Sequence, residues 1–325
     1  MAATRHSILD IVRNCNCVAE VDTLLETEAL YRFIVNGKLV GLVNPQDIAA
    51  LEKAVASGKC TSPFVVDSAS KMLTFTEQHD TRDKRSAAVA SLLSVLRSEH
   101  AWRSLGKWRN ELYPVYGDSE DAEGVALMVE RASSYNFGIR TFGVHINGIV
   151  TDPASGEVKM WVAKRSLQKQ TWPGYLDQFV AGGIGNGASV WESVIKECEE
   201  EGGVPRNIAE RTKFAGTIQY YTRSDLGLQP ETQFVFDLEL PKEFEPYPND
   251  GEVDSFYLWP LDVVIDKLRK NLFKPNCAVC VVDFLIRHGH LTPDNEPDYL
   301  EIIDNIHRPL PYPGPKYIQT KAAPE

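Results

Sequence analysis

Between residues 182 and 204 the chain reads GGIGNGASVWESVIKECEEEGGV, and this stretch restricts the fold more than any other. Val190, Val194, Ile195 and Cys198 recur at helical spacing, so one side of the segment is built for burial. Glu197, Glu200 and Glu201 stand at i, i+3 and i+4, which places three carboxylates on one face, while Glu199 points elsewhere. Like charges at this spacing repel, and acids in a last turn oppose the helix dipole, so helix stability does not explain them. Gly182 and Gly183 lead into the segment and Gly203 closes it, giving a loop–helix–loop that presents acids at one end of a sheet. Two readings follow: a solvated acidic face, or a hard-oxygen site for Mg²⁺ (or Mn²⁺). The buried side, the flanking glycines and Lys196 beside Glu197 favour the metal.

A chain of 325 residues is long enough for two domains. Its 43% hydrophobic and 24% charged content is that of a globular protein. The net charge of -11 argues against a nucleic-acid surface, yet leaves room for a phosphorylated small molecule held by local cations or a metal. Six cysteines are too few for a disulfide framework. Cys15/Cys17 and Cys277/Cys280 look superficially metal-like, but the second pair lies in CAVCVVDFLIRHG, an apolar run that predicts buried thiols. No segment approaches the ~18 uninterrupted apolar residues of a membrane span. The first thirty or so residues lack the apolar core of a signal peptide, so the cytoplasm is the expected location, with a short organellar targeting sequence left open. The sequence does not set the oligomeric state.

Along the chain, Asn36-Gly37 and Asn147-Gly148 each sit between apolar runs and predict hairpin turns, the second pairing RTFGVHINGIVTD with EVKMWVAKRS. Asn44, Pro45 and Gly58 bracket a helix, and RDKRSAAVASLLSVLRSEH reads as another. WRNELYPVYGDSEDAEG reads as a surface connection, and the Pro-rich tail from Leu291 is expected to run over the surface. The domain boundary is placed near residue 135, dividing 1–135 from 136–325.

At the glutamate-rich helix the sequence resembles the Nudix hydrolase signature: a glycine, five residues, Glu, seven residues, then Arg-Glu-apolar-x-Glu-Glu-x-Gly-apolar. Gly182, Glu197, Glu200, Glu201, Gly203 and Val204 match, with Cys198 in the apolar slot. The resemblance implies an α/β/α sandwich with a mixed sheet from residue 136, preceded by a smaller α/β domain. It also implies that Glu197, Glu200 and Glu201 bind the divalent cations, with Glu200 and Glu201 serving catalysis. Two positions depart from the signature: Lys196 stands for its arginine, and Ala188 for an upstream glutamate, with Glu192 one turn further on. MWVAKRSLQKQTWPGYLDQFVAGG, NDGEVDSFYLWPLDVV and LFKPNCAVCVVDFLIRHG are similar to one subgroup, related to the Nudix domain found alongside thiamine pyrophosphokinase. FIVNGKLVGLVNP and HRPLPYP fit it too. That similarity implies hydrolysis of thiamine diphosphate, or its oxidised analogues, to the monophosphate. The alternatives are a Nudix pyrophosphatase acting on nucleotide sugars, dinucleotides or coenzyme A derivatives, and a Nudix-like binding module that has lost catalysis. An isopentenyl diphosphate isomerase is disfavoured.

Such a reaction needs a base and cations. Many Nudix enzymes use a glutamate from a later loop, and Glu252, with Asp250 beside it, is the candidate; a solvated turn residue is the alternative. Lys164, Arg165 and Lys169 lie just before the metal-binding loop and are candidates for the phosphates, or are surface charges. Trp172, Tyr175, Tyr220 and Tyr221 are candidates to stack on a heterocycle, although aromatics in β-rich segments usually form core. His145 reads as structural, and His288 and His290 as a helix cap or exposed.

Overall fold

The computed structural model describes residues 5–249 and 251–316; Asp250 lies outside the described residues. Two helices come first, α1 (Ile8–Cys15) and α2 (Val21–Thr27). Ser7 and Asp10 start α1 as a reciprocal capping box. β1 (Tyr31–Val35) and β2 (Lys38–Val43) then form a hairpin whose turn residues Asn36 and Gly37 have φ of 49° and 73°, as the Asn-Gly signal requires. α3 (Pro45–Ala56) begins with proline at its first turn, and Gly58 follows it at φ 74°. β3 (Phe64–Asp67) and β4 (Met72–Phe75) complete a four-stranded sheet in the order β2-β1-β4-β3. α4 (Arg82–Ser98) covers it with Val89, Leu92, Leu93 and Leu96.

The stretch expected to be a surface connection instead contains a strand. β5 (Leu112–Tyr116) pairs with β6 (Val125–Glu130), and Pro114 is accommodated because this ribbon has only two strands. A short helix α5 (Ser134–Phe137) leads into β7 (Thr141–Thr151).

The remaining elements are β8 (Val158–Arg165), β9 (Leu176–Asp177), β10 (Val180–Gly183), α6 (Val190–Gly202), α7 (Arg206–Ala209), β11 (Lys213–Ser224), β12 (Gly227–Glu239) and β13 (Val253–Pro260), followed by α8 (Leu261–Arg269), α9 (Pro275–Arg287) and α10 (Tyr299–Ile306). The second sheet has seven strands, in the order β11-β12-β7-β8-β13, with β10 added to β7 and β9 to β8. β7 and β12 are parallel and the other pairs antiparallel, so the sheet is mixed. One face meets α6 through Val144, Ile146, Phe179, Val194, Ile195 and Cys198. The other meets α9 and α1 through Ile149, Val235, Cys280, Phe284, Ile8 and Val12. The result is the expected α/β/α sandwich beside a smaller α/β unit.

Two further expectations need correction. Asn147-Gly148 does not turn: β7 runs straight through it, and the chain reverses at 152–157 before β8. Packing overrides the local signal there, because Asn147 is buried and a Cβ on Gly148 would sit 2.5 Å from the ring of Phe179. Gly148→Val is therefore expected to destabilise the protein by about 1–3 kcal/mol, read as a lower urea midpoint at unchanged m-value. The Pro-rich tail is not a surface strap either. Ile302 and Ile306 of α10 are buried, Tyr312 bonds to Tyr221 through the two hydroxyls at 2.9 Å, and Arg308 donates to the Val18 carbonyl and, at 2.7 Å, to that of Ala19. Finally, α1 precedes the boundary in sequence but packs with the later half, against α9. Cys277 and Cys280 are buried thiols, as the apolar run implies.

Candidate active site

Gly182 and Gly183 end β10, and the loop after them enters α6 through a second capping box: Ser189 accepts from the Glu192 amide at 3.1 Å, while the Glu192 carboxylate accepts from the Ser189 amide at 3.0 Å. Glu192 is thus engaged in starting the helix. At the other end Gly203 caps α6 at φ 60°.

The three signature glutamates fan out rather than close on one point. Glu197 lies over the backbone of Gly182, so close that a Cβ there would be 2.1 Å from its carboxyl carbon. Glu201 turns back to accept from the Ala181 amide at 2.9 Å. Glu200 is exposed. The ammonium of Lys196 stands 3.5 Å from Glu197 Oε1 and 3.2 Å from Glu200 Oε2. Among the described residues no three His, Cys, Asp or Glu side chains are grouped tightly enough to hold a metal as they stand.

The electrostatics nevertheless favour a cation. Burial pushes the Glu197 carboxyl up, and the charges of Glu200 and Glu252 add to this against the pull of Lys196. Burial pushes Glu201 well up as well; the Ala181 amide opposes it, while Asp177, Glu197 and Glu252 reinforce it. Acids from α6 and from the loop before β13 are therefore near enough to destabilise one another's charge. A hard divalent cation among them relieves that repulsion, so the donor set fits. Because Glu197 needs the space over Gly182, Gly182→Ala is expected to lower kcat more than tenfold with little change in Tm.

Glu252 behaves differently. Burial works to raise it, but the net direction is down, because Lys169 bonds to it and Arg165 and Arg131 add positive charge. It is a carboxylate held in its basic form beside the acid cluster. Lys164 pairs with Asp254 at 3.3 Å at the edge of the sheet. Arg165 does not face outward. It is buried, pairs with Asp177, and donates to the Thr171 carbonyl. Trp172 is 43% exposed at φ 52° and meets Tyr175 edge-on, with ring centroids 5.1 Å apart. Tyr220 and Tyr221 are packed inside, 1% and 0% exposed, and neither offers a face for stacking. His145 is buried, and His288 at the end of α9 bonds to Asp237 at 3.0 Å.

The smaller unit brings residues that local sequence patterns do not flag. The Tyr113 hydroxyl lies where a Cβ on Gly183 would be, 2.1 Å away. The Asn186 amide donates to the Leu112 carbonyl at 3.0 Å, which ties the glycine-rich loop to β5. Arg131 pairs with Glu111 at 2.7 Å and stacks over the Tyr113 ring at 5.2 Å. Tyr113 and Arg131 thus form a wall against Gly183, next to the Gly182 that Glu197 covers. Their only sequence signal is membership of a Pro-containing strand and a short 3-10 turn far upstream.

Comparison with known proteins adds the following. The family described as NUDIX domain matches residues 141–277, and that described as Domain of unknown function (DUF4743) matches 7–141. An uncharacterised protein of Saccharomyces cerevisiae is 39% identical over 290 residues, 86% of this chain and 83% of that protein. Nudix hydrolase 20, chloroplastic, of Arabidopsis thaliana is 40% identical over 225 residues, 69% of this chain. Nudix hydrolase 24, chloroplastic, of the same plant is 39% identical over 224 residues, also 69% of this chain. The match spans 58% and 59% of those two plant proteins' own lengths. Among solved structures, a C. elegans Ap4A hydrolase binary complex overlaps 46% of this chain and 99% of its own, at 11% identity and a TM-score of 0.35.

Proposed function

We propose that this chain, which matches the NUDIX domain over residues 141–277 and DUF4743 over 7–141, hydrolyses a diphosphate linkage with Mg²⁺ or Mn²⁺, its substrate being thiamine diphosphate or an oxidised analogue that leaves as the monophosphate. The observation that carries the reading is that acids and cations from separate elements meet at Glu252. Glu197 and Glu201 of α6 feel its charge, while Lys169 and Arg131 act on Glu252 itself. Glu197, Glu200 and Glu201 would hold the cation, which when bound neutralises the diphosphate and acidifies a water.

The chain's own residues do the rest. Glu252, kept ionised by Lys169, accepts the proton of the attacking water. Arg131 presents a forked guanidinium suited to phosphate oxygens, and Glu111 fixes its direction. Trp172 and Tyr175, both exposed, offer aromatic faces a few residues beyond Lys169. The similarity of MWVAKRSLQKQTWPGYLDQFVAGG to the thiamine-related subgroup supports the choice of substrate.

The test is product formation from thiamine, oxythiamine and oxothiamine diphosphates with Mg²⁺, beside ADP-ribose and NADH, for the wild type and Glu200→Gln. Monophosphate from the thiamine compounds alone, lost in the variant, is the expected result. Turnover of ADP-ribose or NADH instead transfers the assignment to a nucleotide substrate. Mg²⁺ binding without turnover of anything replaces the hydrolase by a binding module.

A further inference from the structure

Strand β7 presents Gly143, His145 and Asn147 on one face, the face turned to α9. His145 is 3% exposed and its Nδ1 has no hydrogen-bond partner among the described residues. Gln233, beside Gly143 in the register with β12, is 4% exposed and its Oε1 has none among them. Gln178, bonded to Asn147, is 3% exposed and its Oε1 has none among them either. Three orphaned polar atoms therefore follow a single strand.

The orientation of the two amides is fixed by their neighbours. Gln233 Nε2 donates to the Tyr220 hydroxyl at 2.8 Å. Asn147 donates to Asp237 at 2.9 Å, which leaves its oxygen to accept from Gln178 Nε2. Flipping Gln178 would set its oxygen against that of Asn147, and flipping Gln233 would set its oxygen against the Glu231 carboxylate, 3.3 Å from Nε2, to which the Tyr220 hydroxyl already donates. Leaving such a group buried without a partner destabilises the fold, and native interiors seldom keep several together. Gly143 contributes no side chain to fill the row, since a Cβ there would lie 2.3 Å from Gln233 Oε1.

At the head of α9, the ammonium of half-buried Lys274 makes no ion pair with a described residue, although its charge is felt by His145, Asp177 and Glu231. Burial, with that charge adding, pushes His145 down to about 3, so the imidazole is neutral. Tyr135 is half-buried and interacts electrically with Glu231, Lys274 and Arg131, which links this interior to the wall of the diphosphate site.

We infer that this face of β7 is the chamber for the organic half of the substrate, and that it selects a heterocycle offering N–H donors, such as those of an exocyclic amine. The inference rests on the diphosphate hydrolase reading for the other half of the substrate. Gly143 and Asn147 are four residues apart, about 13 Å along a strand, so the donors belong to an extended or two-ring compound rather than a single small ring. The group nearest Lys274 is neutral or anionic.

The test reads binding rather than turnover, so it stands apart from the hydrolase assignment. Calorimetric titration of the full chain without metal uses thiamine and adenosine as donor-bearing probes. Purine riboside, and the thiazolium with benzyl in place of aminopyrimidine, serve as counterparts lacking the donors. At least one donor-bearing probe is expected to bind tenfold or more tightly than its counterpart, with the preference lost in Gln178→Met and Gln233→Met. Lys274→Met, at the chamber's edge, is a second variant for the case where a core substitution lowers Tm, and a threefold or larger change in probe affinity is expected from it. Equal binding of probes and counterparts, no binding of any probe, or a preference that survives all three substitutions overturns the chamber; the orphaned atoms are then simply hydrated. If the chamber's preference is seen but no diphosphate is hydrolysed, the hydrolase reading fails while this one stands.

Discussion

Glu197→Gln is expected to reduce kcat for diphosphate hydrolysis by at least about a hundredfold, roughly 3 kcal/mol of barrier, without lowering Tm. The two halves of this result come from the same geometry. Glu197 sits over Gly182 among Glu200, Glu201 and Glu252, and its charge is disfavoured by burial and by those neighbours. Removing the charge at constant shape relieves repulsion in the metal-free protein, so folding does not suffer. A cation held there loses a ligand, so activity does. Single-turnover kinetics beside a thermal melt measures both; a fall in Tm with activity retained would assign Glu197 to structure.

Asp177→Asn is expected to do the opposite, lowering stability by about 3–5 kcal/mol, because it leaves Arg165 buried without a counter-charge. Burial works to raise the Asp177 carboxyl, yet Lys274, Arg165 and the bond from Cys277 outweigh it and hold the group below the usual carboxylate range. Its folded pKa being depressed, its contribution is complete above an unfolded value of about 3.9 and disappears as pH falls through the folded one. Urea midpoints of wild type and variant should therefore lie far apart at pH 7 and converge as the medium is acidified below pH 4. A gap unchanged by acid would mean that packing, not charge, gives Asp177 its role.

What the sequence discloses depends on how local the cause is. The hairpin at Asn36-Gly37, the helix begun at Pro45 and the glutamate-rich α6 between its glycines were all legible, since each is decided within a few residues. Asn147-Gly148 misleads because Phe179, thirty or so residues later, occupies the place of a Gly148 side chain. The tail misleads because its prolines say nothing of Ile302 and Ile306, which become buried against distant strands. In the site, the three acids of α6 are named from their spacing, and Glu252 only through the family resemblance. That Arg165 is consumed by Asp177, and that Tyr220 faces the core, follows only from which way each strand turns its residues. Arg131 and Tyr113 come from another part of the chain altogether, and no motif around them announces a site.

The position of α1 bears on how the protein is made. Ile8, Ile11 and Val12 cover the face of the second sheet beside α9, and Arg308 closes over the carbonyls of Val18 and Ala19 just after α1. A helix that leaves the ribosome early is thus committed to partners translated some 270 residues later, and the smaller sheet can close while α1 still waits. Until α9 and α10 emerge, that apolar helix is a natural handle for chaperones. A fragment cut at 141–277 would lack α1, α10 and nearly all of α9 at once, leaving its sheet uncovered on one side.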